Sequence, residues 1–561
     1  MQRNLVSLLM LSVIITGIIS CSRNKSGIAI PKDASFAVHV NTNSLTSKVS
    51  WQEIQQNEWF KKLYAEETDS LTRKILNDPS NSGVDLQSEL AFFVKKQNQG
   101  GYMAVEGGIK DAAAFEAFAT KVNLGGKVVK NGDVSVLNTS RKSLVAWTAN
   151  RFVFISDAPM PSLSSRLNSS SSDVSEPFSF PTDSLQKFAV ELFDLPAKNN
   201  LINDDRFASV MKETGDIHYW VNAEQYYNSL GGFLSLLKMN VLFEGNAYGA
   251  ALNFDNGKIT FKTKAFCNKE LTALMEKHGG GKVSADMINR IPSKNVVAVF
   301  AFKYQPQGLL DLLKLMGVDG MVNSFLNSEG YSAAEFVKAN KGDVLLSVTD
   351  FEIKGKEMTI TDENGNPQTI KQNDIPGAKI LFATSVNDKP SFDKLFAILQ
   401  KKSLDLQPLS NDVHFQLNND WFVAGNSAEQ VNSFLSGGNN NFPFTSRISG
   451  KAFGGYINIQ QLLKSAAPAV PDSNSKAAMD VSINMWQDII MTSGGQKDDA
   501  FVGEAEINLV DKSTNSLKQL NKYLDAMSKI MHPKRNQSDV QAKYTDPAAA
   551  GLAALEPVLH P

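Results

Sequence analysis

Four stretches of this chain recur, in the same order, further along it, and that requires a fold that can be built twice. Ile30-Pro31-Lys32-Asp33-Ala34-Ser35-Phe36-Ala37-Val38-His39-Val40 matches Ile291-Pro292-Ser293-Lys294-Asn295-Val296-Val297-Ala298-Val299-Phe300-Ala301 at an offset of 261. A run opened by Asp111, with Phe115, Phe118, Ala119 and Val122, matches one opened by Asp388, with Phe392, Leu395, Phe396 and Leu399, at an offset of 277. Both carry the i, i+3, i+4, i+7 stripe of an amphipathic helix, and each Asp stands where its carboxylate can cap the first turn. Trp220-Val221-Asn222-Ala223-Glu224-Gln225 parallels Tyr456-Ile457-Asn458-Ile459-Gln460-Gln461, a strand ending in Asn before a helix. The helix of Leu271, Leu274 and Met275 parallels that of Leu517, Leu520 and Leu524. Two tandem halves of comparable design are expected, differing in their loops.

Within each half the unit is an alternating strand, a turn, a second strand and a helix. Phe36, Val38 and Val40 share one strand face while His39 points to the other. Tyr102–Glu106 and Lys379–Ala383 are the strands before the capped helices, and Arg151–Ile155 and Trp421–Gly425 form a further shared strand. Asn131-Gly132, Asn256-Gly257 and Asn364-Gly365 are hairpin turns. The fold class is therefore α+β: antiparallel sheets with helices packed on one face.

The length of 561 residues, 42% of them hydrophobic, suits two to four domains. The expected division is 1–20 a signal segment, 21–29 a tether, 30–160 and 184–290 the subdomains of the first half, and 161–183 a Ser-rich linker. The second half comprises 291–440 and 441–532, and 533–561 is a tail without periodicity. With 56 Lys plus Arg against 58 Asp plus Glu, the net charge of -2 offers nothing to neutralise a phosphate backbone, so nucleic acid is not an expected partner. Thirty-three Phe, 11 Tyr and 6 Trp exclude a wholly disordered chain.

Only Cys21 and Cys267 are present, which excludes a disulfide scaffold and any CxxC site. Cys21 follows a short polar start with Arg3 and an apolar run, Leu5 to Ile19, that is too short to cross a bilayer uninterrupted. Ile18-Ile19-Ser20-Cys21 resembles the lipobox of bacterial lipoproteins. That resemblance implies cleavage after Ser20, acylation of Cys21 and a membrane partner reached through this lipid. The tether Ser22-Arg23-Asn24-Lys25-Ser26-Gly27 lacks the acidic cluster associated with surface export, and Ser22 is not the Asp of inner-membrane retention, so the periplasmic face of the outer membrane is expected. Cys267, ending the strand Ile259–Phe266, reads as a packing residue.

No chemistry-bearing constellation stands out. His39, His218, His278, His414, His532 and His560 are dispersed, without HExxH or related zinc spacing. Gly279-Gly280-Gly281-Lys282 follows a helix and is followed by Val283, so it reads as a helix C-cap and not a phosphate loop. Asp362-Glu363-Asn364-Gly365-Asn366 starts like a calcium loop, but Pro367 and Asn373 occupy positions that need Gly and Glu, so it reads as a hairpin tip. No catalytic, metal or cofactor residue is assigned, and no cofactor is expected.

Ile30-Pro31-Lys32-Asp33, then Val38-His39-Val40-Asn41-Thr42-Asn43-Ser44-Leu45, Trp51-Gln52-Glu53-Ile54 and Trp59-Phe60, behind a lipobox cysteine, resemble a family of Bacteroidetes lipoproteins known as a domain of unknown function, DUF4836. The resemblance implies an envelope location and no particular activity. Asn41, Ser44 and Trp51 read equally well as a strand-end turn, a helix cap and a core aromatic. The expectation is a non-enzymatic, lipid-anchored envelope protein with a binding or scaffolding role and an envelope protein among its partners. The alternatives are an envelope hydrolase with a site between the halves, and a carrier of an apolar ligand on helix-covered curved sheets.

Overall fold

The computed structural model describes residues 27–97, 100–122, 126–138, 142–158, 178–227, 238–361, 367–405, 413–470 and 472–531. Eighteen strands among them join in a single sheet. In chain order these are β1 Phe36–Val40, β2 Leu90–Gln97, β3 Gly100–Gly108, β4 Val128–Asn131, β5 Val134–Asn138, β6 Ser143–Trp147, β7 Arg151–Asp157, β8 Ile217–Asn222, β9 Ala247–Asp255 and β10 Lys258–Phe266. They continue as β11 Val296–Lys303, β12 Asn340–Thr361, β13 Pro367–Val386, β14 His414–Leu417, β15 Trp421–Gly425, β16 Phe453–Ile457, β17 Trp486–Lys497 and β18 Ala500–Leu509.

The helices used below are α1 Thr42–Lys48, α2 Trp51–Gln55, α3 Glu58–Glu66, α4 Ser70–Asn77, α5 Ala112–Val122, α6 Thr182–Phe193, α7 Asp205–Met211 and α8 Lys269–His278. In the second half they are α9 Pro306–Leu315, α10 Asp319–Ser328, α11 Ala333–Ala339, α12 Lys389–Asp405, α13 Ala428–Leu435, α14 Thr445–Ile448, α15 Ile459–Ala466, α16 Ser473–Met485 and α17 Ser516–Met531.

Every strand pairing is antiparallel. The ladders set the order β4-β5-β6-β7-β3-β2-β1-β8-β9-β10 and continue β18-β17-β16-β11-β12-β13-β15-β14. Outward from the β10/β18 pair the order matches place by place for eight strands on each side, β4 and β5 being extra on the first-half side. At that central pair Lys262 and Glu504, each the fifth residue of its strand, are direct partners. β1 lies between β2 and β8, so residues 30–160 and 184–290 contribute neighbouring strands to one sheet.

Alternation along β7 sends Val153 and Ile155 to a front face and Phe152 and Phe154 to the back. On the front, α6 and α7 cover Ala37, Phe93, Ala104, Val153, Ile155 and Trp220. α13 and α14 likewise cover Val299, Leu345, Leu381, Ala383, Val423 and Tyr456. On the back of the first half, Leu45 of α1 and Phe115 and Ala119 of α5 pack on Val40, Leu90, Phe152 and Trp147. The α+β class and the antiparallel sheet stand as expected, but helices on one face do not: strands such as β6 and β7 are apolar on both sides, and each side needs its own cover.

A helix near the end of each half reaches the other. Lys277 and His278 of α8 both reach Asp311 of α9, at 2.8 Å each. α17 packs on α3, where Asn57 Nδ2 donates to Asn521 at 2.7 Å and Asp525 accepts the Glu58 N–H at 2.7 Å.

Candidate functional site: an open apolar sheet face

The back face of the second half is as apolar as that of the first, but much less covered. Phe300 stands beside Leu346 and Leu346 beside Phe382; Val348 stands beside Ile380, and Phe302 beside Val344. All point to one side, because opposite residues of neighbouring strands share a face. Of these, Phe302 is 40% exposed, Leu346 38%, Ile380 47% and Phe382 37%. A small cluster of Ala339, Val386, Phe392 and Phe422 closes only one end of this face.

The helices confirm the contrast. In the first half Val49, Trp51, Ile54, Phe60 and Leu76 from the α1–α4 region form their own buried cluster, with the Trp51 Nε1–H donating to the Leu76 carbonyl at 3.1 Å. In the second half α9 buries only Pro306, and α10 and α15 bury nothing, although all three are rich in Leu, Phe or Met. Leu309, Met321 and Phe325 are exposed, and α15 lies against β11, β12 and β17. α9 also touches β12, yet Phe302, Leu346, Ile380 and Phe382 stay exposed, an arrangement suited to contact with an apolar molecule. Lys303 and Asp343 at its border are paired at 2.7 Å, and burial raises the Tyr304 phenol.

The residues singled out in the sequence have other duties. Cys21, His532, His560 and the tip Asp362–Asn366 lie outside the described residues; the flanking Thr361 and Pro367 are ladder partners, as a hairpin requires. Cys267 is half-buried, and burial raises its thiol. His39 and His218 are cross-strand partners with ring centroids 5.7 Å apart. His39 Nε2 lies 3.1 Å from a Glu89 carboxylate oxygen, and His218 Nε2 3.0 Å from the Glu213 carbonyl. Burial lowers the His218 value, with the neighbouring His39 adding to it. His278 joins α8 to Asp311, and His414 is exposed on the edge strand β14. Gly279 caps α8, its N–H donating to the Met275 carbonyl at 2.6 Å. Asn41, not Ser44, caps α1: its Oδ1 accepts the Ser44 N–H, while the Ser44 hydroxyl donates to buried Asp216 at 2.6 Å. Among the described residues no three His, Cys, Asp or Glu side chains gather as a metal set, and no helix is long and apolar enough to cross a membrane.

The open face was missed as a site, although a signal existed. Val344-Leu345-Leu346 and Ile380-Leu381-Phe382-Ala383 are unbroken apolar runs, which mark strands apolar on both faces.

Fold and site define an α+β protein on one continuous antiparallel sheet with an uncovered apolar face. The family model for a domain of unknown function, DUF4836, matches residues 28–355, more than half of the chain, and the chain belongs to that family. None of the curated proteins compared matches it. Among solved structures, crystal form IV of TP0453 is similar at 9% identity and a TM-score of 0.23, covering 46% of this chain and 88% of that one. Crystal form III gives 9% and 0.24 over 47% of this chain and 90% of that one.

Proposed function

We propose that this is a lipid-anchored cell-envelope protein with a non-enzymatic role, binding the acyl chains of an apolar ligand on the back face of its second half. The observation that carries this reading is the row Phe300, Leu346 and Phe382, flanked by Phe302 and Ile380, of which Leu346, Phe382, Phe302 and Ile380 are left exposed. The corresponding first-half face buries Val40, Leu90, Trp147 and Phe152 beneath α1 and α5, with Leu517 of α17 packed against them and Val38, Val105 and Phe154 partly buried, so the wider exposure belongs to the second half. Anchoring through Cys21, a bacterial lipoprotein origin and a place on the periplasmic side of the outer membrane rest on the lipobox-like Ile18-Ile19-Ser20-Cys21. The tandem-halves reading is supported by a strand order that matches for eight places on each side of the β10/β18 pair and by equal placement of Lys262 and Glu504 at its centre.

The test uses the Cys21→Ala protein, which keeps its own acyl chains out of the measurement. Extraction with chloroform–methanol and mass spectrometry should return bound lipid, and a dansylated fatty acid should be retained in titration. Leu346→Asp together with Phe382→Asp should lower both at least tenfold while the far-ultraviolet circular dichroism stays unchanged. Equal retention by the variant and the parent protein would show that this face is not the site.

A further inference from the structure

We propose that residues 27–32 are a seat for the lipid anchor, which holds the first half, and the Asp194–Asn199 loop beside the seat, against the bilayer surface. The proposal rests on the reading of Cys21 as acylated. From Gly27 onward the chain is no longer a tether. Ile28, Ala29 and Ile30 are all buried, Ile28 and Ile30 in the front-face core of the first half. Backbone bonds fix them in place: the Leu201 N–H donates to the Ile30 carbonyl and the Lys32 N–H to the Asn199 carbonyl, both at 2.7 Å. Asn200 Nδ2 donates to the Ile28 carbonyl at 3.0 Å.

Two charged side chains complete the seat. Glu106, fully buried on β3, accepts the Ala29 N–H at 2.9 Å. Arg151, at the start of β7, donates to the Gly27 carbonyl and, at 2.6 Å, to the Leu192 carbonyl, with its guanidinium 4.7 Å over the Phe193 ring. These bonds tie the strap to β3, β7 and the end of α6, all elements of the first half.

Reach follows from chain geometry. An acylated Cys21 sits where lipid meets water, and the six steps from it to Gly27 extend at most about 20 Å. Arg23 and Lys25 within that span favour an anionic headgroup layer. Ala197, Lys198 and Asn199 are exposed and joined to the strap through the Asn199 and Asn200 bonds, so they lie nearest the bilayer. The second-half helix α10 follows β11, nine strand places from β3 in the sheet, a path of about 40 Å at ordinary strand spacing.

The experiment uses the full acylated chain carrying Cys267→Ser, with a bimane label at Lys198→Cys or at Asn327→Cys on α10. The protein is bound to phosphatidylethanolamine–phosphatidylglycerol vesicles containing a nitroxide-headgroup lipid. The label at position 198 should be quenched several-fold more than that at 327. A 30-residue Gly/Ser spacer inserted between Ser26 and Gly27 should erase the difference while vesicle flotation persists. Equal quenching at the two positions without the spacer overturns the seat. An N-terminal peptide without acyl mass, or loss of flotation in the parent protein, overturns the anchoring reading and the seat with it. Unchanged melting temperatures of the labelled proteins exclude misfolding as the cause of either result.

Discussion

Glu106 shows how a residue can be placed by its neighbours in sequence and given meaning by residues far away. Period-two alternation puts it on the same face as Tyr102 and Ala104, so a buried carboxyl was legible in the strand. Its partner, the Ala29 N–H, comes from a strap 77 residues earlier, and Oε1 has no hydrogen-bond partner among the described residues. Burial pushes this carboxyl up to about 7, against the opposing pull of Arg151 and the Ala29 bond. A raised carboxyl contributes its stability in full below its ordinary value near 4.5 and loses it as pH climbs through about 7. Glu106→Gln should therefore melt at a higher temperature than the parent at pH 8 and at nearly the same temperature at pH 4. The difference at pH 8 corresponds to about 3 kcal/mol. Calorimetry across that range checks it.

At the level of elements, capping was the most readable signal. Asp111 accepts the N–H groups of Ala113 and Ala114, Asp388 that of Ser391, and Asn222 and Asn458 those of Gln225 and Gln461. Short polar side chains before apolar stripes need only local geometry, so four residues of sequence suffice. Register is different. The match at offset 261 sets Val38 against Val299, yet the ladders place Ala37, between Phe93 and Trp220, where the second half has Val299 between Ser347 and Tyr456. An irregularity between Val296 and Ala298 absorbs the extra residue, and a slip of one residue exchanges the faces. Turns give a test at the same scale. Gly83 has φ +77°, and a Cβ there would meet the Asp111 carbonyl at 2.3 Å, at the start of α5; Gly132 has φ +62° with open space around it. Gly132→Ala should cost about 1 kcal/mol from backbone strain alone. Gly83→Ala should cost clearly more in urea unfolding, because the helix start must also shift.

The whole molecule is tied together at its centre, through the β10/β18 ladder and through α8 and α17, each of which ends on the opposite half. Neither half completes its own packing: Leu517 of α17 packs against the Val49–Leu76 cluster of the first half. The two halves should consequently unfold together. Urea transitions followed through Trp147 and Trp220 in the first half and Trp421 and Trp486 in the second, using single-tryptophan variants, should coincide in midpoint. Separate midpoints would mean that the central ladder does not couple the halves.

The sequence by itself determined the α+β class, the alternating strands and the helix caps, because each depends on residues within one or two turns of each other. Tertiary structure alone decided that the eighteen described strands share one sheet, that helices lie on both of its faces, and that Phe302, Leu346, Ile380 and Phe382 of the back face stay exposed while Val40, Leu90, Trp147 and Phe152 of its counterpart are buried. The physical reason is range. Alternation states that a strand has an apolar side, but whether a helix comes to cover it depends on chain tens to hundreds of residues away.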